Sequence, residues 1–344
     1  MDGLLNRLSR EQRVGQLVMV GAGAGVEPSA VGGQLREQHV GGVVLLGTWV
    51  GAANVQTAAE KWQQAAQDGS GGVGVLVAAD QEGGQVQHLR GDGFTSTPSA
   101  LTQGPWPETV AATAATVGAE LKAAGVNVAL APVADTVAAS FAGRNAPIGA
   151  LRREYGNDPA TVASAVVSAV RGLQGAQVSA TLKHFPGLGR VTGNTDLTAA
   201  GTTDATTTSD DAYLEPFRAG IQAGADLVMV SSALYPKIDA ENRAVFSRAV
   251  ITGVLRNRLS YGGVVISDDV GAAKAVAAVP VGERATRFVG AGGDVVLTGL
   301  PSTVPVMAAA LTERAAGDAA FAAQVDAAAR RVLDLKIRRG LAHC

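Results

Sequence analysis

Cysteine is all but missing from this chain: the only one is Cys344, at the C-terminal end. Intramolecular disulfides and multi-cysteine metal sites are therefore excluded. Histidine is nearly as scarce. His39, His88, His184 and His343 are scattered, without the HxxxH-type spacing of a zinc site. Neither charge is in excess, with 28 Lys plus Arg against 30 Asp plus Glu and a net charge of −2. That balance argues against a nucleic-acid binder or a polybasic membrane protein. No apolar run reaches the roughly 18 residues that span a bilayer. The opening Met1-Asp2-Gly3-Leu4-Leu5-Asn6-Arg7 lacks a long apolar signal core. By itself this N-terminus fits a cytosolic chain, or one whose leader has been removed. No GxGxxG follows the first apolar run, which weakens a dinucleotide fold, and no internal repeat or linker-like break interrupts the 344 residues.

What is present is apolar and periodic. Hydrophobic residues make up 47% of the chain and mean hydropathy is +0.18, enough for a large core. Ser9-Arg10-Glu11-Gln12 reads as a capping box opening a short helix. Apolar runs then recur at Gln16–Gly21, Val43–Gly47, Val75–Ala78, Val126–Ala131, Ala180–Leu182, Leu227–Val230, Val264–Ile266 and Val295–Leu297. Most do not alternate with polar residues, so both faces should be buried, as in parallel sheets. Helix-like stretches lie between most of them, at about 53–67, 107–124, 158–174, 210–223, 247–258 and 302–313. Ser209 is positioned to cap the fourth. A last helix over about 318–339 should bury Phe321, Val325, Val332 and Leu335 and stop at Gly340. The pattern predicts a single (β/α)8 barrel over residues 1–344 with no C-terminal sandwich domain; a doubly wound open sheet is the alternative.

In such a barrel the chemistry sits where strands end, and polar residues cluster there. The runs are followed by Asp80-Gln81-Glu82-Gly83-Gly84, by Pro132-Val133-Ala134-Asp135, by Lys183-His184 and a loop to Asp196, by Ser231-Ser232, and by Ser267-Asp268-Asp269. Successive strand residues face opposite ways, so one acid of the Asp268-Asp269 pair can aim into the barrel mouth while the other is structural. Blander readings compete: Asp80, Asp135 and either acid of the pair as helix caps, His184 as a hydrogen-bonded core histidine, Arg153 as a surface ion pair. Lys183 at a strand end needs a partner or water. A Schiff-base role is opposed by the lack of a phosphate-binding glycine signature near the last two strands.

In chain order, DQEGG (80–84), APVAD (131–135), REYGNDP (153–159), KHFPG (183–187) and SDD (267–269) resemble the bacterial glycoside hydrolase family 3, in particular its single-domain β-N-acetylglucosaminidase branch, over about residues 8 to 300. The resemblance implies a (β/α)8 barrel and a retaining mechanism. It implies Asp268 as nucleophile, and Asp80, Arg153, Lys183 and His184 as sugar-binding groups. It implies no metal or organic cofactor.

The chain departs from that branch where the acid/base belongs. The branch usually continues KHFPGHG…DSH, its histidine paired with an aspartate. Here Leu188 stands at the first histidine and Asn194-Thr195-Asp196 replaces DSH. Ser231-Ser232 takes the place of the histidine near the sixth strand's end, and Gln85 that of the arginine in DQEGGR. Asp196 is the replacement on hand. A retaining glycosidase needs a second group as acid, then base, and Asp196 would need a raised pKa from burial or from Asp268. A carboxylate there should favour water over phosphate as acceptor, since like charges repel. The expected function is a retaining exo-β-N-acetylhexosaminidase releasing terminal GlcNAc from cell-wall or chitin-type glycans. A β-glucosidase or other hexosidase, and a catalytically impaired glycan-binding barrel, are the alternatives. The expected partner is a carbohydrate, with no nucleic acid and no membrane span, and the expected state a monomer. The resemblance implies an extracellular or envelope location.

Overall fold

Ser9 and Gln12 cap each other: the Ser9 hydroxyl accepts from the Gln12 amide at 3.2 Å, and the Gln12 side chain accepts from the Ser9 amide at 2.9 Å. A computed structural model describes residues 2–343; Cys344 lies outside the described residues. After two short helices (Asp2–Arg7 and Arg10–Gly15) the chain enters eight barrel strands: β1 Val18–Gly23, β2 Gly42–Leu46, β3 Leu76–Ala79, β4 Val128–Ala129, β5 Ser179–Phe185, β6 Leu227–Val230, β7 Val264–Ser267 and β8 Val296–Thr298. Each pairs in parallel with its neighbour, β1 also pairs with β8, and a parallel bridge between Ile266 and Val295 closes the ring. Every residue of β3 to β8 is buried, as expected for strands with side chains on one face and helices on the other. The closed ring rules out the open-sheet alternative.

The helices are α1 Pro28–Glu37, α2 Ala52–Gly69, α3 Pro107–Ala123, α4 Pro159–Gly175, α5 Glu215–Gln222, α6 Ala249–Arg258, α7 Val281–Gly290, α8 Val304–Gly317 and α9 Ala319–Arg338. Asp158 caps α4, its carboxylate accepting from the amides of Ala160 and Thr161. Ser209 does not cap α5. Asp211 caps a tight turn over Ala212–Leu214 instead, because its carboxylate is also gripped by Arg190, and α5 starts only after that turn. The stretch at α6 is wound as a π-helix. Buried Phe321, Val325, Val332 and Leu335 face the barrel from α9, and Gly340 follows with φ +71. No helix among the described residues is long and apolar enough to cross a membrane.

Candidate active site

Polar side chains from four strand ends converge on a cavity of about 290 Å3 at the C-terminal mouth of the barrel. Asp80, Arg153, Lys183, His184, Asp196 and Asp268 all line it, with Leu130 just past β4, Met229 from β6 and Leu297 from β8 among its apolar lining. Lys183 and His184 belong to β5 itself, which runs three residues past Leu182. The Lys183–His184 peptide is cis.

The binding side is built on a residue whose role the motif reading overlooked. Glu82 is buried and touches two cations: its carboxylate takes a two-pronged contact from Arg153, at 2.7 and 2.9 Å, and accepts from Lys183 at 2.6 Å. Lys183 also contacts Asp80. Burial alone would raise Glu82, but Arg153 and Lys183 outweigh it and hold the carboxyl far below the usual range. Burial likewise works against the Lys183 charge, and Asp80 with Glu82 overcomes it, so the ammonium lies above its ordinary value. A lysine held charged is a poor Schiff-base nucleophile. Arg153 is no surface pair. Its third contact is to the Pro147 carbonyl at 2.8 Å. The turn that delivers Glu82 needs Gly83 at φ +96, where a Cβ would meet the Pro98 carbonyl at 2.5 Å.

Asp135 is no helix cap either. It is fully buried, and one oxygen meets His184 Nδ1 at 2.7 Å while the other accepts the Leu188 amide at 2.7 Å. The Asp135 contact fixes the orientation of the imidazole, with Nδ1 toward the carboxylate and Nε2 toward Arg153, 3.5 Å away. The chain turns past this point at Gly189, where a Cβ would overlap the Thr136 carbonyl at 1.7 Å. Arg190 then points away from the cavity, to Asp211 at 2.8 Å and over the Tyr213 ring at 3.7 Å. Leu188 is buried and lines the cavity where a histidine would be needed.

On the opposite side, Asp268 and Asp269 divide the work. One Asp269 oxygen accepts the amides of Gly271, Ala272 and Gly299 at 2.7, 3.1 and 3.0 Å, a structural role. Among the described residues, Asp268 accepts only the Asp269 amide, at 3.0 Å. Burial raises its pKa, with His184 and Lys183 pulling the other way. Asp196 is held in an Asx turn, its amide donating to Asn194 Oδ1 at 2.9 Å. It stands at the rim, solvent-accessible as a residue while its carboxyl lines the cavity. Burial of that carboxyl first, and the charge of Asp268 second, push it up to about 7. Water at the rim screens part of this push; its upward direction follows from the carboxylates of Asp268 and Asp269. The cavity thus pairs a cation-braced binding wall with two carboxyls that do not readily ionise together.

His88 also lines the cavity, its Nδ1 3.3 Å from the Leu45 carbonyl. No spacing rule marks it. Glu82 and Asp135 did carry a signal, as acids just past apolar runs, but which partners they meet is not local information.

The chain matches the glycosyl hydrolase family 3 N-terminal domain over residues 9–335. It belongs to glycosyl hydrolase family 3. Among family members, a protein named beta-hexosaminidase from Xanthomonas euvesicatoria is 37% identical over 72% of this chain and 74% of its own length. One of the same name from Stenotrophomonas maltophilia is 36% identical over 72% and 73%. The crystal structure of a beta-N-acetylhexosaminidase from Beutenbergia cavernae superposes with a TM-score of 0.91, at 46% identity over 96% of this chain and 98% of that one. The (β/α)8 fold and the glycoside hydrolase class expected from the motifs are thereby shown.

Proposed function

We propose that this family 3 hydrolase is a retaining exo-β-N-acetylhexosaminidase, a monomer that removes terminal GlcNAc from cell-wall or chitin-type glycans. The observation that carries the reading is the unequal carboxyl pair. Asp268 is a half-buried carboxylate with no cation bonded to it among the described residues, and burial together with the charge of Asp268 pushes the Asp196 carboxyl upward, toward holding a proton near neutrality. Retaining cleavage needs that division of labour. Asp268 attacks the anomeric carbon and forms a glycosyl-enzyme. Asp196 gives its proton to the leaving oxygen, then takes one from the water that releases the sugar. Asp80, Lys183, His184 and Arg153 hold the ring hydroxyls, and Glu82 keeps both cations in place. A cavity of about 290 Å3 is at the small end of ligand sites, suited to one terminal sugar. The names of the relatives favour the N-acetyl substituent over a 2-hydroxyl.

The test is hydrolysis of para-nitrophenyl β-N-acetylglucosaminide beside the matching β-glucoside across pH 4–9, with Asp196→Ala as control. Preferred turnover of the first substrate is expected. Its kcat/KM should fall above about pH 7 as Asp196 ionises. The limb should vanish in Asp196→Ala, with azide partly restoring turnover. Preference for the glucoside, or a pH profile untouched by Asp196→Ala, would overturn the reading.

A further inference from the structure

The segment that joins Asp269 to α7, residues 270–280, does not line the sugar cavity, yet one buried side chain organises it. Arg284, 7% exposed, reaches back from α7 and donates to four carbonyls of this segment. Nη1 bonds Val270 O at 2.7 Å and Gly271 O at 2.9 Å, Nε bonds Val279 O at 2.7 Å, and Nη2 bonds Ala277 O at 3.3 Å. A guanidinium is a rigid fork of donors with no acceptor, so four carbonyls aimed at one group fix the shape of the whole segment. Its start is pinned separately by the three amides on Asp269.

The apex of that segment touches the other catalytic loop. The Lys274 amide donates to Asp196 O at 3.2 Å, and the Ala275 amide to Thr195 O at 3.0 Å. Within its own loop the backbone of Asp196 is held by the Asn194 side chain; these two bonds hold residues 195–196 from outside. The strand end that carries Asp268 therefore also carries the brace that fixes where Asp196 stands.

We propose that Arg284 is a positioning residue for the acid step, acting through the 270–279 brace and the Lys274 and Ala275 amides on the Asp196 loop. The proposal rests on the reading of Asp196 as acid/base. A carboxyl that must lie within hydrogen-bond reach of the leaving oxygen loses efficiency when misplaced by about 1 Å. A freed loop also gives the Asp196 carboxyl more water, and greater solvation of a carboxyl lowers its pKa.

Two variants of the full chain test this. Arg284→Met removes all four bonds. Lys274→Pro removes the amide that bonds Asp196 and nothing of the cavity: Lys274 is exposed, opens a short 3-10 turn, and follows Ala273 at φ −58, ψ 128, the extended geometry a residue before proline adopts. Each is assayed on an N,N′-diacetylchitobiose substrate, whose sugar leaving group needs protonation, and on a 2,4-dinitrophenyl β-N-acetylglucosaminide, whose leaving group does not. The expected result for both variants is a loss of roughly 10-fold to 100-fold in kcat/KM on the disaccharide, a partial loss that stays at or below the low end of what general acid catalysis supplies. The dinitrophenyl glycoside should change far less, and the basic limb of the pH profile should move to lower pH. Equal losses on both substrates with the limb in place would overturn the proposal and leave Arg284 a purely structural residue. Asp196→Ala in the same assay separates the two levels. If it shows the substrate split and the two variants do not, only the positioning role fails; if it shows no split, the acid/base reading falls and takes the positioning role with it.

Discussion

Two lysines are buried in this barrel, one at each end, and they differ in whether a carboxylate stands beside them. Lys183 at the C-terminal mouth lies between the carboxylates of Asp80 and Glu82. Lys336, fully buried beneath the N-terminal ends of the strands, bonds only neutral acceptors, the Gln16 side-chain oxygen at 2.5 Å and the Gly74 carbonyl at 2.7 Å. Burial opposes the charge of both. At the mouth the two acids overcome it and the pKa rises; at the base nothing does, and Lys336 is pushed down to about 7. The mouth keeps its charges paired beside the cavity they line. The base carries one titrating group as a joint between α9 and the barrel floor.

That contrast can be broken from the functional side first. Asp268→Asn should lower turnover by on the order of 10⁴-fold or more, as removing a covalent nucleophile does. It should leave Tm unchanged or higher at neutral pH, since the lost carboxylate is disfavoured by burial. Calorimetric binding of GlcNAc that survives in the variant would separate lost chemistry from lost binding. In a mere glycan-binding barrel the wild type would show no turnover to lose.

Glu82→Gln should have the next largest effect, and on both properties. It leaves Arg153 and Lys183 facing each other with Asp80 as the remaining carboxylate on Lys183. Breaking a buried ion pair from one side costs about 3–5 kcal/mol. A urea midpoint barely changed would show that Glu82 is not the brace described here. KM should rise with kcat less affected, because the cations proposed to hold the sugar lose their register.

The smallest and most specific effect belongs to the base. Lys336 has a folded pKa below its unfolded one, so between about pH 7 and the ordinary lysine range the unfolded chain binds more protons and stability rises with pH. Lys336→Met removes that slope. The Tm of the variant relative to wild type should therefore be highest near pH 7 and decline toward pH 10. Lys183, with its pKa raised, stays protonated in both states through this window and contributes no slope there. A difference in Tm that is flat from pH 7 to 10 would mean that Lys336 is charged in the fold.

Much of this was legible in one dimension because it is local. Eight apolar runs became eight strands, since a strand buried on both faces must be continuously apolar. The acids and cations after those runs fell at one end of the barrel because parallel strands all finish on the same side. Where the sequence misled, a contact distant in the chain outweighed a local preference. Ser209 is a sound cap by type, but Asp211 holds Arg190 and takes the cap with it. The helices α1 and α7 went unread because each is short and carries two glycines; burial of Val31 and Leu35, and of Phe288 and Val289, decides them instead.

By itself, then, the sequence determined the barrel, the end of it that does chemistry, and the residue types gathered there. Tertiary structure alone decided which acids are pushed toward holding a proton, which one braces two cations, which one meets His184, and which of two buried lysines has carboxylates beside it. The reason is physical. Periodicity and capping act over a few residues along the chain, whereas a pKa depends on burial and on charges brought within a few ångströms, here by segments as far apart as Glu82 and Arg153 or Glu82 and Lys183.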